Sequence, residues 1–483
     1  MRNLVAVAVM FVVGCSPALR EDNGGGDDDD GKGDAICEPG ATRACYDGAA
    51  GTEGVGPCRG GTQTCSPDGV WLACTDQVIP TGENCTNGID DNCNGAIDEE
   101  TDNDGDGFST CGGDCCDSQA DGCGSPELVN PGAFEASGNS VDDDCDGIVD
   151  NAIAATCDTG LASNSATALD YAKAIDLCQT ATMTDGRWGV ISARFVHPSG
   201  TGTPNAAQRA IRPAFGSTSV QAGASFAVLS TGNAAAPGQT NPGYVPFQGG
   251  NDLPGASAFP SDWLAANGGS LPNAPGCPAP QGTQAQDPIM LELTVRAPTN
   301  AKSFSLATNF LSSEYPEWTC SPYNDFFVVL LDSAWNGQPA NPTDKNLATY
   351  TSAAMMKYPV GVNLAHGNTG LFTVCKNGQT GCADGSVAGN INTCMATTEL
   401  AGTGMDGLNP SPQYANDLGY CGANNQVGGG TGWLTTQGNI VGGEVFKLRI
   451  AIWDTSDGFY DSVSLIDNFQ WSVDAAQPGT VIF

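Results

Sequence analysis

The chain has 483 residues, 40% of them hydrophobic, which is room for two to four domains and at least one sizeable core. Its formal charge of −37 is concentrated, because residues 21–160 hold 32 of the 54 acidic residues but three of the 17 basic ones, a net −29. Such a field repels nucleic acid and anionic lipid; it excludes nucleic-acid binding and leaves cations as the natural partner.

The chain begins MRNLVAVAVMFVVGC, where the apolar run from Leu4 to Val13 is too short to span a bilayer and reads as a secretory signal over residues 1–14. The ending VVGC resembles a bacterial lipobox, which implies cleavage before Cys15 and lipidation of that residue. Ser16 resembles the signal for sorting to the outer membrane of a Gram-negative bacterium. The expected partner is therefore a membrane, through the lipid on Cys15, and the alternative is an ordinary signal with a chance cysteine. Residues 15–36 follow as an acidic Gly/Asp tether.

Twenty-one cysteines in an exported chain imply disulfides. Without Cys15, 12 lie before residue 151 and eight after it, and this double parity places a boundary there. Residues 37–79 are a Cys-rich small module with one apolar stretch, GVWLAC, so covalent staples must replace a core.

Residues 80–151 contain a repeat. ENCTNGIDDNCNGAID, from Glu83, aligns with EASGNSVDDDCDGIVD, from Glu135, at a constant offset of 52. Counting from Asp90, oxygens fall at positions 1, 3, 5 and 9 as Asp90, Asn92, Asn94 and Asp98, with Gly95 at position 6. In the second copy these are Asp142, Asp144, Asp146 and Asp150, with Gly147. Alternate side chains pointing inward around a Gly turn are how a calcium loop wraps a hard cation. Between the copies, DNDGDGF offers Asp102, Asp104 and Asp106 in the same phase, and GDCCD adds Asp114 and Asp117. The first copy has Asn where the second has Asp, which predicts weaker binding there. Cys93 and Cys145 stand at position 4, where a disulfide would hold a loop that lacks flanking helices.

These elements, NGxDDNCNGxxDE with DxDGDG, GDCxD and PGAxE, resemble the MopE-type repeats, whose family label is copper binding. The donors here are carboxylate and amide oxygens, with no His or Met in the segment, and such donors favour Ca²⁺ over copper. Copper and a solvated acidic turn with no ordered ion stay open as alternatives.

From residue 152 onward, period-two patterns predict strands at PIMLELTV, KSFSLATNF, DFFVVLL, VFKLRIAIW and SLIDNFQWSV, the last with Val463, Leu465, Asp467, Phe469, Trp471 and Val473 on one face. One helix is predicted at SATALDYAKAIDLC, and 197–285 and 335–440 read as long loops. The fold class is mostly β: an antiparallel, jelly-roll-like β-sandwich over 152–483, preceded by a small disulfide-rich, calcium-loop stalk. In DTSDGFYDSVSLIDNF, Asp454, Asp457 and Asp461 suit either a structural calcium or Asx-turns closing a hairpin. Glu314, Asn324 and Asp325 form another polar cluster near Tyr315, Trp318 and Tyr323, read as core rather than a sugar-stacking surface.

The words DYAKAIDLC, WGVISARF, NFLSSEYPEW, YNDFFVVLL, GGGTGWL and GGEVFKLRIAIWDTSDGFYDSVSLIDNFQW resemble the choice-of-anchor L family, which implies a β-sandwich surface domain with no established ligand. No GxSxG, HExxH, phosphate loop or dinucleotide fingerprint occurs, and the two histidines, His197 and His366, stand alone. The expectation is a non-enzymatic surface lipoprotein, binding an extracellular glycan or protein. The alternatives are a metal scavenger and a polysaccharide-active hydrolase.

Overall fold

In this computed structural model the described residues are 37–482, apart from 86, 98–101, 152–156, 185, 249–252, 254, 367, 382–389 and 407–427. The signal, Cys15, the tether and Asp98 therefore lie outside the described residues. The chain divides into two compact units, Met1–Glu99 and Glu100–Phe483, rather than at residue 151.

In the first unit, Thr42–Cys45 (β1) pairs antiparallel with Gly61–Thr64 (β2). Disulfides Cys37–Cys65, Cys45–Cys74 and Cys58–Cys93 staple it. Apolar packing does not carry this unit. Val70 and Leu72 of GVWLAC are 51% and 53% exposed, whereas Cys58, Cys65 and Cys93 are buried, so cross-linking substitutes for a core.

The second unit is the sandwich. Its strands are Gly189–Val196 (β3), Arg209–Arg212 (β4), Phe226–Ser230 (β5), Ala285–Arg296 (β6), Ser303–Ser312 (β7) and Phe326–Asp332 (β8). Gly429–Asn439 (β9), Val445–Thr455 (β10), Ser462–Ser472 (β11) and Gly479–Ile482 (β12) complete it. One sheet runs β12-β9-β7-β11-β5-β4 and the other β8-β10-β6-β3, with Ala256–Ser257 added beside β6, and all these pairs are antiparallel. Phe304 of β7 stacks on Phe446 of β10, with ring centroids 5.8 Å apart, and this contact joins the two sheets across the main core.

The five expected strands form, and the fold class is as the patterns predict. Three details differ. The loop at 197–285 supplies β4, β5 and a short helix, Ser261–Ala266 (α1′), whose Trp263 covers the outer face of the smaller sheet against Phe326 and Trp453. The loop at 335–440 supplies β9, a Gly/Thr-rich strand that periodicity misses. Its glycines are packing sites, since a Cβ on Gly438 would lie 2.6 Å from Leu347 and one on Gly430 2.5 Å from Leu311. Finally, β11 does not keep one face throughout: a bulge opposite Ser305/Ala307, with Asn468 at φ 50°, reverses its phase. Val463 and Leu465 therefore pack in a side cluster while Ile466 and Phe469 enter the main core. The predicted helix shortens to Ala168–Lys173, and Asp176 just beyond it takes φ 70°.

Residues 126–151 pack within this second unit. Trp188 Nε1 donates to Ala133 O, and Asn300 clamps the Phe134 backbone from both sides, donating to its carbonyl and accepting from its N–H. The described disulfides after residue 151, Cys157–Cys178, Cys277–Cys320 and Cys375–Cys394, all join residues on that side.

Candidate metal centres

The three acidic loops share one backbone design. The position-1 carboxylate accepts from the N–H of the position-6 Gly: Gly95 to Asp90 at 3.0 Å, Gly107 to Asp102 at 2.9 Å and Gly147 to Asp142 at 2.9 Å. The side chain at position 3 accepts from the N–H of position 5, as Asn94 to Asn92, Asp106 to Asp104 and Asp146 to Asp144. These Asx-type turns require the left-handed conformation that Gly95 (φ 98°) and Gly147 (φ 91°) adopt. The 52-residue register is therefore a repeat of structure as well as of letters. The position-4 cysteines are both cross-linked, Cys93 to Cys58 and Cys145 to Cys115.

The central loop and the GDCCD segment come together. Oxygens of Asp102, Asp104 and Asp117 lie within 4.8 Å of one another, and so do those of Asp104, Asp106 and Asp114. Asp104 thus belongs to both triads. One buried oxygen each of Asp104 and Asp114 has no hydrogen-bond partner. Asp117 is held by Asn103, whose N–H and side-chain amide both donate to it. Burial, and then the carboxylates of Asp106, Asp104 and Asp117, push Asp114 up to about 6, while the N–H groups led by that of Gly107 hold Asp102 below its ordinary value.

In the second copy the converging triad is Glu135, Asp142 and Asp144. Glu135 was not among the expected ligands, although the repeat pairs it with Glu83. Its two oxygens also accept from Asp143 N and Asp150 N, so it closes the loop from outside. Asp150 is used differently from expectation, because it caps the turn before the loop by accepting from Gly138 N and Asn139 N. Asp146 lies outside the triad and binds Ile148 N and the Asn151 amide. The first copy gathers Asp90, Asn92 and Asn94 with the same turn geometry, but positions 3 and 5 carry no charge.

Every donor in these groups is a hard oxygen, a type that suits a hard cation better than copper. The grouping of Cys277 and Cys320 beside His366 is not a soft-metal site, because the two cysteines are joined as a disulfide.

In the sandwich, Asp454 ends β10 and Asp461 precedes β11. That connection crosses from one sheet to the other and is not the closed hairpin considered above. Asp457 makes the expected Asx contact, accepting from Phe459 N at 3.2 Å. Asp454 and Asp461 are buried, together with Glu314 and Asp325. Tyr315 is core, while Trp318 is half-buried and packs on Tyr323 and Tyr460. Beside the second copy, a cleft of about 410 Å³ is lined by Glu135, Asp176, Trp188, Gln470 and Trp471.

Residues 227–469 match the family model for the choice-of-anchor L domain. Residues 79–99 and 125–151 match a MopE model described as a "putative metal-binding motif", whose name refers to copper. No curated protein and no solved structure matched the chain.

Proposed function

The chain belongs to the choice-of-anchor L domain family, a surface-associated group, and on that premise we propose that it is a non-enzymatic surface protein whose acidic loops hold Ca²⁺ and brace a ligand-binding sandwich. The observation that carries this reading is the pair of oxygen triads sharing Asp104, joined by the Glu135, Asp142 and Asp144 triad. Carboxylates this close repel one another, so a divalent cation between them stabilises the folded loops, and its binding free energy becomes folding free energy. Asp102, Asp104, Asp106, Asp114 and Asp117 would hold the central ion, and Glu135, Asp142 and Asp144 the next.

The matched motif supports metal binding, and the oxygen donors favour calcium. Chelation should expose residues 100–151 to protease while the sandwich resists. Equal cleavage with calcium and with chelator contradicts this, and protection by Cu²⁺ but not by Ca²⁺ favours a scavenger. Trp188 and Trp471 beside Asp176 and Gln470 support a glycan or peptide as the sandwich ligand, since such clefts pair aromatic faces with a few polar groups. A lipid on Cys15, as the lipobox-like VVGC suggests, would supply the anchor; no described helix is long and apolar enough to cross a membrane. Mass spectrometry of the exported N-terminus distinguishes an acylated Cys15 from a plain cleaved end.

A further inference from the structure

We propose that the sandwich contains its own buried Ca²⁺ site, separate from the repeats, where Asp454, Asp461, Asp325 and Glu314 are buried near one another at the crossing from β10 to β11, with Asp457 at its mouth. The four carboxylates come from two stretches of chain, the β7–β8 connection and the end of β10 with its connection to β11, and Asp454, Asp461, Asp325 and Glu314 are 1%, 1%, 1% and 4% exposed. No described Lys, Arg or His forms an ion pair with any of them.

Their hydrogen bonds are too few for such burial. Asp325 accepts from the Ser462 hydroxyl, and Asp461 Oδ1 accepts a long contact of 3.5 Å from the Thr231 hydroxyl. The Asp325 N–H reaches Glu314 and the carboxyls of Asp325 and Asp454 face one another, but no N–H or hydroxyl donates to either oxygen of Asp454, to Oδ2 of Asp461 or to Oε2 of Glu314, all of them buried. Two other buried acids of the sandwich are answered by backbone N–H groups. Asp467 accepts from Gln221 N and Asp158 from Ala224 N and Ser225 N. Gly232 lets the Asp461 carboxylate pack directly against the backbone, since a Cβ there would lie 2.3 Å from Oδ2.

An uncompensated buried carboxylate is costly against the small net stability of a domain, which does not hold four of them charged. Protonation is the other route to neutrality, and burial together with the neighbouring acids raises all four groups. Protons alone serve the site poorly, however, because shared protons among these acids still leave lone pairs of Asp461 Oδ2 and Glu314 Oε2 buried without a donor. A divalent ion satisfies several oxygens at once, and carboxylates on irregular connections suit Ca²⁺ better than the strict octahedron of Mg²⁺. The set is not one of those whose oxygens already converge within 4.8 Å, so binding draws its carboxylates together.

The test uses the whole chain, with elemental analysis after desalting and thermal unfolding in Ca²⁺ and in EDTA. Neutralising all three loops of the repeats (D90N, D102N, D104N, D106N, D142N and D144N together) should leave bound calcium and a calcium-dependent rise in Tm. Adding Asp454→Asn should remove that calcium and lower Tm in Ca²⁺, yet leave Tm unchanged or higher in EDTA, where it deletes an uncompensated buried charge. If Asp454→Asn does not fold, Asp461→Asn takes its place. The proposal is overturned if the repeat-neutralised protein retains no calcium and shows no Tm response. It is equally overturned if the Asp454 or Asp461 variant keeps the calcium, or shifts Tm alike in both conditions. Because the repeats are disabled throughout, failure here leaves the reading of the repeats untouched.

Discussion

Asn130 joins the central metal loop to the sandwich through one fully buried side chain. Its amide nitrogen donates to Asp106 at 2.6 Å, while its oxygen accepts from Gly132 N and from the Thr299 hydroxyl at 2.7 Å. Asn130→Ala leaves those two donors buried and unanswered, so denaturant unfolding should show a loss of about 1–3 kcal/mol. The same variant should weaken calcium binding, because Asp106 loses the group that aims it. Asp176 makes a prediction of opposite sign. Burial, then the charges of Asp467 and Asp158, raise it to about 7, and neither of its oxygens has a hydrogen-bond partner. The unfolded group titrates near 3.8, so between there and about 7 the folded state binds more protons, and stability falls as pH rises through that window. Asp176→Asn should therefore stabilise the protein at pH 8, by on the order of 1 kcal/mol once solvent screening is allowed for, and do little near pH 4. Tm measured across pH would contradict this if the gain at pH 8 were absent or matched at pH 4.

At the scale of the loop, charge sets the order of affinity. All three loops share the turn from position 6 back to position 1, but the first offers Asn92 and Asn94 where the second offers Asp144 and Asp146. Introducing N92D and N94D should tighten calcium binding by the first loop on the order of tenfold in calorimetric titration, and no change would show that the turn alone governs affinity. The loops were legible in the sequence because their ligands recur every second residue, and a turn of this kind is decided locally. The central strands were legible for the same reason: Phe446, Leu448, Ile450 and Ile452 alternate into the main core. What escaped was set by distant packing. β9 reads as a Gly-rich loop until Leu347 and Leu311 are seen to leave no space for side chains. Glu135 closes the second loop from outside its spacing, and Glu314 and Asp325 reach Asp454 from more than a hundred residues away, which no period reveals.

Across the whole molecule, two kinds of cross-link stand in for apolar packing where the chain is most acidic. The first unit depends on disulfides, with its apolar side chains left exposed. In the second unit, the Cys115–Cys145 bridge and the shared Asn130 tie the acidic loops to one another and to the sandwich. Neither device offsets the repulsion among Asp102, Asp104, Asp106, Asp114 and Asp117, and a hard divalent cation does. The same inventory explains why a soft metal is a poor fit in the repeats: the described cysteines are engaged in disulfides, and the repeats contain no imidazole or thioether. The most direct measurement is the metal content of the purified whole chain after desalting, by elemental analysis. Bound calcium that falls when D104N and D144N are introduced is the predicted result. Copper in its place, or no metal at all from a calcium-containing buffer, would contradict the account.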